Sequence, residues 1–202
     1  MPGRDNRGFT GVAPRQRRAQ FGPRPLEVAM SAPGPAPMDQ PVTAADPAAF
    51  TRVLGRVPTS VCVVTATTPQ GPVGVTVGSF TSVSLEPPLV SFYGGRNSAS
   101  SQAIIEAGHF CVNVLAEDQQ QVCEAFASRT ADRFATGEWE LAAATAPRLA
   151  GATAWIECAV ESSFPAGDHV AVMGRVQRLA AASERLKPLL FHRSRMVRLD
   201  GA

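Results

Sequence analysis

Two polar stretches near the middle of the chain have the residue types of a ligand site. The first, GVTVGSFTSVS, runs from Gly74 to Ser84 and mixes hydroxyl side chains and a glycine with strand-forming residues. The second, RNSASS, covers residues 96–101 and directly precedes a helical segment. Hydroxyls and backbone N–H groups at a helix start bind anions, and a glycine lets the backbone approach a flat ring closely. Together the stretches predict one ligand with a flat polar ring and a phosphate.

Each stretch also has a structural explanation that involves no ligand. Serine and asparagine are good helix caps, so residues 96–101 would be expected before any helix. Ser79, Thr81 and Ser82 would face solvent in an ordinary antiparallel sheet. The ligand interpretation therefore depends on the two stretches acting together.

Other chemistries lack their sequence signatures. The chain has no GxGxxG, GxxxxGK[ST] or GxSxG motif, which argues against a Rossmann dinucleotide site, a P-loop and a serine hydrolase. Its three histidines, His109, His169 and His192, do not have the spacing of metal ligands. The cysteines form no CxxC pair and are predicted to be buried reduced thiols of a cytoplasmic protein. They are Cys62, Cys111, Cys123 and Cys158.

Composition predicts two regions, a disordered arm over residues 1–40 and one globular domain over residues 41–202. The arm is rich in Pro, Gly, Ala and Arg and lacks periodicity. The residues before Met38 include six arginines and two acidic residues, which gives them a net charge of about +4. Since the whole chain has a net charge of +2, the remainder carries about −2. An acidic body argues against nucleic-acid binding. No apolar run approaches the roughly 20 residues that a membrane span requires.

The pattern of elements favours an antiparallel barrel. A helix is predicted from an Asp46 cap to Gly55, and further helices are predicted over Ser100–Ala107 and after a cap at Asp118. Many strands without βαβ alternation favour a barrel with helical decorations over a doubly wound sheet. The predicted strands are Ser60–Thr67, Val73–Phe80, Leu89–Tyr93, His109–Leu115, Trp155–Ser162 and His169–Leu179, followed by a strand-like tail.

Several ordered motifs resemble one known family. GVTVGSFTSVSLEPPLVSF resembles the signature segment of the flavin reductase domain, and the similarity continues through RNSASS, HFCVNVLAEDQQ, FASRTADRF, AWIEC, GDHVAVMGRV and PLLFHRSR. It covers roughly residues 44–200. The resemblance implies a mainly β fold, an antiparallel split β-barrel that binds FMN and has a few short helices. In the tail, Ser194 and Met196 stand where the family often has Gly and Tyr.

The resemblance also implies an activity. Members of the family oxidise NADH or NADPH, reduce FMN or FAD and release the reduced flavin to a separate flavin-dependent oxygenase, usually as homodimers. Hydride transfer between two cofactors needs no protein nucleophile, which agrees with the missing catalytic motifs. The alternative is a non-catalytic flavin-binding or electron-carrier module on the same fold. A nucleic-acid-associated barrel that uses the basic arm is a third hypothesis, and the acidic body argues against it.

By the same resemblance, the predicted site has three groups of residues. His169 is the predicted catalytic residue, on the nicotinamide side, and Arg133 is predicted near the flavin phosphate. The residues predicted along the flavin ring are Thr76, Val77, Gly78, Ser79, Phe80, Ser82 and Ser84. The residues predicted around the ribityl chain and phosphate are Asn97, Ser98, Ser100 and Ser101. No metal site is predicted.

Overall fold

A computed structural model of the protein describes residue 41 and residues 46–128, 132–140, 146–183 and 185–199. The chain divides into residues 1–41 and 42–202, and every element below belongs to the second part. The predicted disordered arm lies outside the described residues, so its disorder stays a prediction.

The described residues are mainly antiparallel β structure with three α-helices. The helices are α1 (Pro47–Leu54), α2 (Ala99–Ala107) and α3 (Gln120–Ala127). The first six strands are β1 (Thr59–Ser60), β2 (Cys62–Thr68), β3 (Gly71–Val77), β4 (Thr81–Leu85), β5 (Pro88–Gly95) and β6 (His109–Val114). The others are β7 (Trp139–Glu140), β8 (Arg148–Leu149), β9 (Ala154–Ala166), β10 (His169–Ala181), β11 (Leu190–His192) and β12 (Arg195–Val197). A single 3-10 turn covers Arg133–Ala135.

One large sheet organises the domain. In the described residues it has seven strands in the order β3-β2-β6-β9-β10-β5-β4, and all neighbours are antiparallel. The sheet curls so that the end of β3 meets β5, where the Ser79 hydroxyl accepts from the Tyr93 backbone N–H at 2.9 Å. A smaller sheet, β1-β11-β12, and the β7-β8 pair complete the β structure. This is the expected antiparallel split barrel.

Two hydrophobic clusters hold the helices that flank the site. In the first, Ile104 of α2 packs with Phe92 and Phe110, whose rings meet edge to face with centroids 5.3 Å apart. In the second, Phe126 of α3 packs with Leu115, and all of these side chains are buried. Burying residues of this size stabilises a fold by about 2 kcal/mol each. Both helices are therefore fixed relative to the sheet.

Two of the helices form as the sequence predicts. The Asp46 side chain accepts from the Ala48 N–H at 2.9 Å and Pro47 occupies the first turn of α1. Helix α2 starts one residue earlier than predicted, is capped by Ser98 and ends at Gly108, whose φ is 72°. A glycine there adopts the left-handed conformation without steric cost.

The predicted strand over Val73–Phe80 is wrong at its C-terminal end. Strand β3 stops at Val77, and a separate strand, β4, follows from Thr81. A tertiary contact ends the strand, because the Ser79 hydroxyl hydrogen-bonds with the backbone of Tyr93 on β5.

Two other local predictions are also wrong. Helix α3 is not capped by Asp118, because its N-cap is Gln119, which makes no capping bond. The Gln119 amide instead accepts from the Ala116 N–H and donates to the Ala150 carbonyl. The connection between the predicted strands Trp155–Ser162 and His169–Leu179 is shorter than expected, since β9 extends to Ala166 and leaves a two-residue turn in which Gly167 has a φ of 66°.

Among the described residues, none of the helices has both the length and the apolar composition needed to cross a bilayer.

Candidate functional site

A cleft with two connected ends collects most of the predicted site residues. Its helix end has a volume of about 710 Å3 and lies at the start of α2, and its strand end has about 360 Å3 and lies along the end of β3. Val75, Gly95 and His169 line both ends, so the two form one continuous depression. A ligand with a ring and a phosphorylated chain needs a site of this elongated kind.

The helix end presents donors at the N-terminus of α2. The Ser98 hydroxyl accepts from the Ser101 N–H at 3.3 Å and so caps the helix. The Ser98 N–H is bound to the Gly95 carbonyl at 3.0 Å, which closes the turn. Ser100, in the first turn of α2, lines the cleft. The positive end of the helix dipole and this hydroxyl favour an anion here.

Arg133 faces the same position from the opposite wall. Its Nη1 donates to the Gly74 carbonyl at 3.1 Å and to the Ser100 hydroxyl at 3.3 Å. The guanidinium is therefore held against both β3 and α2. Phe134, which follows Arg133, packs edge to face on Phe126 with centroids 4.9 Å apart, and this contact fixes the 3-10 turn.

The strand end offers backbone groups more than hydroxyls. The Thr76 hydroxyl donates to the Cys123 carbonyl at 3.0 Å, and the Ser79 hydroxyl is committed to Tyr93. Strand β3 lies at the edge of the seven-stranded sheet, so within the described part of the chain its outer backbone groups have no partner strand. Those N–H and C=O groups can bind the polar edge of a flat ring.

Glycines allow close backbone packing around the cleft. A Cβ at Gly94 would lie 2.5 Å from the Ser101 hydroxyl, so α2 packs directly on the β5 backbone. A Cβ at Gly78 would lie 3.0 Å from the Thr59 hydroxyl. The glycine in the first stretch is thus explained by packing against β1 as well as by its place in the cleft.

His169 stands where the two ends of the cleft meet. It is the first residue of β10, its side chain is 48% exposed, and its Nδ1 lies 2.7 Å from the Asp168 carboxylate. An ionised carboxylate only accepts, so Nδ1 donates and Nε2 is left for a ligand. The hydrogen bond from His169 and its charge lower the pKa of Asp168.

The cleft brings together many, but not all, of the predicted residues. Those that line it are Thr76, Val77, Gly78, Ser79, Asn97, Ser98, Ser100, Arg133 and His169. Phe80 packs instead against the first hydrophobic cluster. Ser82 and Ser84 lie on the edge strand β4, away from the cleft. Ser101 is buried beneath Gly94 with a hydroxyl that has no hydrogen-bond partner in the described residues.

Sequence reasoning missed several lining residues. Tyr93 is 43% exposed beside the strand end although Phe92 before it is fully buried. Asp168 lines the helix end, as does Arg96, which belongs to the predicted RNSASS stretch but was assigned no role of its own. The register explains their position, because His169 pairs with Gly95 across β10 and β5. The FYGG run at residues 92–95 could have indicated Tyr93, since an aromatic residue before two glycines suits a surface on which a flat ring packs.

The described residues contain no cluster of three or more His, Cys, Asp or Glu side chains suited to a metal ion. Another groove, of about 760 Å3 beside α1, is lined by Arg52, Arg56 and Arg193 and contains none of the predicted site residues. The donor set of the cleft fits a phosphorylated ring compound: backbone groups along β3, an exposed Tyr93, and an anion site at α2. Among the described residues that line the cleft, no nucleophile is hydrogen-bonded to a base.

Comparisons with known proteins identify one family. A family model described as "Flavin reductase like domain" matches residues 54–200. A flavin reductase from Pseudomonas putida is 48% identical over 152 residues, which are 75% of this chain and 89% of that protein. The reductase subunit HsaB of a flavin-dependent monooxygenase from Rhodococcus jostii is 43% identical over 157 residues, 78% of this chain and 80% of that protein.

A solved structure extends the similarity to the fold. The NADH:FAD oxidoreductase SgcE6 of Streptomyces globisporus, in complex with NAD and FAD fragments, superposes with a TM-score of 0.76. Its sequence is 35% identical, and the match covers 81% of this chain and 98% of that one.

Proposed function

This chain belongs to the flavin reductase like domain family, and from that premise we propose that it is an NAD(P)H:flavin oxidoreductase. It reduces FMN or FAD with NADH or NADPH and supplies the reduced flavin to a separate flavin-dependent oxygenase. One observation carries the proposal: the start of α2 and Arg133 meet beside the edge strand β3, and His169 lines both ends of the cleft that they form.

The residues of the cleft divide the task of holding a flavin. The α2 start, Ser100 and Arg133 bind the phosphate, and the outer edge of β3 binds the polar edge of the ring. Tyr93 shields one side of the strand end. Hydride transfer from the reduced nicotinamide to the flavin is chemistry that the cofactors would supply when bound, and the protein would orient them.

His169 orients the reduced nicotinamide nucleotide. Asp168 holds the imidazole through Nδ1, so Nε2 is left for a ligand at the junction of the cleft that His169 lines. Since both cofactors must meet at this junction, a side chain placed there would set the distance between the nicotinamide C4 and the flavin N5. Asn97, which is exposed at the mouth, adds an amide to the same side.

A second copy of the chain completes the proposed assembly. Several large apolar side chains of the described residues are exposed. Among them is Leu85 on the edge strand β4, which is 93% exposed. An edge strand with exposed apolar residues associates readily with another surface. We therefore propose a homodimer. The four cysteines are free and buried, which supports a reducing compartment such as the cytoplasm.

The test is oxidation of NADH and of NADPH by the purified protein with FMN, FAD or riboflavin added. We expect oxidation to depend on added flavin, and reduced flavin to appear in solution under anaerobic conditions. A protein that binds flavin and yet leaves NADH and NADPH intact would be a carrier, and the proposal would be wrong. Sedimentation or light scattering measures the dimer independently of turnover.

A further inference from the structure

Two arginines line the helix end of the cleft, and they differ in their partners. Arg133 is held by the Gly74 carbonyl and the Ser100 hydroxyl. Arg96 is exposed, and within the described residues no hydrogen bond or ion pair involves its guanidinium. One cation of the cleft is thus built into the wall, whereas the other stands free at the mouth.

The backbone of Arg96 is nevertheless fixed on both sides. Its N–H donates to the Asp168 carbonyl at 2.9 Å, and its own carbonyl accepts from the Gln102 amide at 3.1 Å. Arg96 is therefore anchored to the β10 start and to α2, and its side chain begins from a defined point beside the cleft.

Asp168, the acidic residue next to Arg96, already has a side-chain partner. The Asp168 carboxylate binds His169 at 2.7 Å, and its backbone carbonyl, not its side chain, contacts Arg96. The charge of Arg96 is therefore available to a ligand. Arginine presents a planar fork of donors that matches phosphate oxygens.

We propose that Arg96 binds the second phosphate of a dinucleotide, whether that dinucleotide is FAD or the reduced nicotinamide nucleotide. The inference rests on the proposed function. The first phosphate takes the inner position at α2, where Arg133 and Ser100 already converge. A second phosphate extends toward the mouth, where Arg96 is the free cation among the described lining residues. FMN and reduced nicotinamide mononucleotide lack that phosphate.

The test measures binding as well as turnover. Arg96→Gln and Arg96→Lys would be compared with the wild type by calorimetry, with FMN and FAD titrated into flavin-free protein. KM would be measured for NADH and for reduced nicotinamide mononucleotide. Arg56→Gln is the matched control, because Arg56 is also exposed and lines the groove beside α1 instead of the cleft.

We expect Arg96→Gln to weaken one dinucleotide by about 10- to 100-fold, the range for a lost hydrogen bond to a charged group. FMN and the nicotinamide mononucleotide should stay within about twofold of wild type, as should every ligand in the Arg56→Gln protein. Arg96→Lys keeps the charge without the fork and should give an intermediate loss. Weakening of FAD alone assigns the phosphate to the flavin, and weakening of NADH alone assigns it to the reductant.

Two results would overturn the proposal. If FMN and FAD weaken equally, Arg96 serves the first phosphate, and if no ligand changes more than in the control, it serves none. Failure of the proposed function is separate from both, because it would show as absent NAD(P)H oxidation by the wild type, while the calorimetry needs no turnover.

Discussion

The imidazole of His169 is the side chain on which the two ends of the cleft converge. We predict that His169→Ala raises KM for the reduced nicotinamide nucleotide and slows flavin reduction, on the order of 100-fold together, because misplacement of one reactant has costs of this size. Flavin affinity should hardly change, since the phosphate contacts lie at α2. Stopped-flow reduction and flavin titration measure the two effects separately.

Asp168→Asn is the companion variant, because it keeps the shape of the turn and weakens the hold on Nδ1. We expect the same pattern at smaller magnitude. The opposite pattern, with flavin binding lost and nicotinamide kinetics intact, would place His169 in the flavin site and refute its proposed role.

The buried thiols give a prediction on reactivity. Burial raises the pKa of Cys62 to about 11 and that of Cys158 to about 12, so at pH 8 less than about one thiol in a thousand is ionised at either site. We expect no reaction of the native protein with a disulfide reagent at pH 8, and four thiols per chain after denaturation. Rapid labelling before unfolding would contradict the burial of these residues.

The same shift fixes a direction for stability. An ordinary thiol has a pKa of about 8.5, so as the pH rises the unfolded chain loses these protons before the folded one. The stability that the thiols contribute is therefore full below about pH 8.5 and falls as the pH approaches 11.

At the scale of elements, the start of α2 combines a structural and a binding function. Ser98 caps the helix and Ser100 meets Arg133. We predict that Ser100→Ala weakens FMN and FAD by about 1.5–3 kcal/mol, the value of a hydrogen bond to a charged group, and leaves riboflavin unchanged. Titration of the three flavins checks this.

Ser98→Ala is the contrasting variant, because it removes the cap and should lower the free energy of unfolding by about 1 kcal/mol. If Ser100→Ala weakens riboflavin as much as FMN, the residue does not contact phosphate and serves only the packing of the helix.

The turn between β11 and β12 gives another prediction. Arg193 and Ser194 both have positive φ, 50° and 60°, in a two-residue hairpin turn that favours glycine at its second position. We predict that Ser194→Gly stabilises the protein by about 0.5 kcal/mol, because relief of left-handed strain exceeds the added entropy of the unfolded chain.

Ser163→Gly in strand β9 is the matched control and should destabilise by about 0.5–1 kcal/mol, because it frees an exposed strand residue with ordinary dihedral angles. Chemical denaturation of both variants gives the comparison. Destabilisation by Ser194→Gly would show that the serine side chain holds the turn.

Elements were predictable where their signals are local. The Asp46 cap, Pro47 and the Gly108 terminus lie within a few residues of the helices that they bound. The end of β3 and the start of α3 were mispredicted because distant contacts decide them, Ser79 with Tyr93 and Gln119 with Ala150. The cleft residues likewise were predictable where a local motif marks them and were missed where distant contacts place them.

The two polar stretches were visible as motifs, and most of their residues do line the cleft. Asp168 was missed because its position depends on β10 pairing with β5, whereas Arg96 was visible in the RNSASS stretch but was assigned no role of its own. Ser101 was expected at the ligand because it belongs to the RNSASS motif, but the third residue of a helix start can point inward, and its side chain is buried.

At the scale of the whole molecule, the charge is divided between the arm and the domain. The residues before Met38 carry about +4 and the remainder about −2, so removing them makes the protein acidic. An acidic domain repels its own cofactors weakly at long range, and salt screens this effect. We therefore predict that the local cations Arg96 and Arg133 attract the phosphates at the cleft.

We predict that a protein beginning at Met38 keeps its activity and its assembly. The family match starts at residue 54 and the first described helix at Pro47, and a segment rich in Pro, Gly and Arg buries too little apolar surface to support a core. KM for flavin and NADH should stay within about twofold at physiological salt, where surface charges are screened beyond about 8 Å.

A protein beginning at Val57 is the control for this deletion. It loses buried Ala49 and the hydrogen bond from the Arg193 N–H to the Gly55 carbonyl, and it should unfold at lower temperature. Loss of turnover or of the dimer in the Met38 protein would show that the arm belongs to the working enzyme.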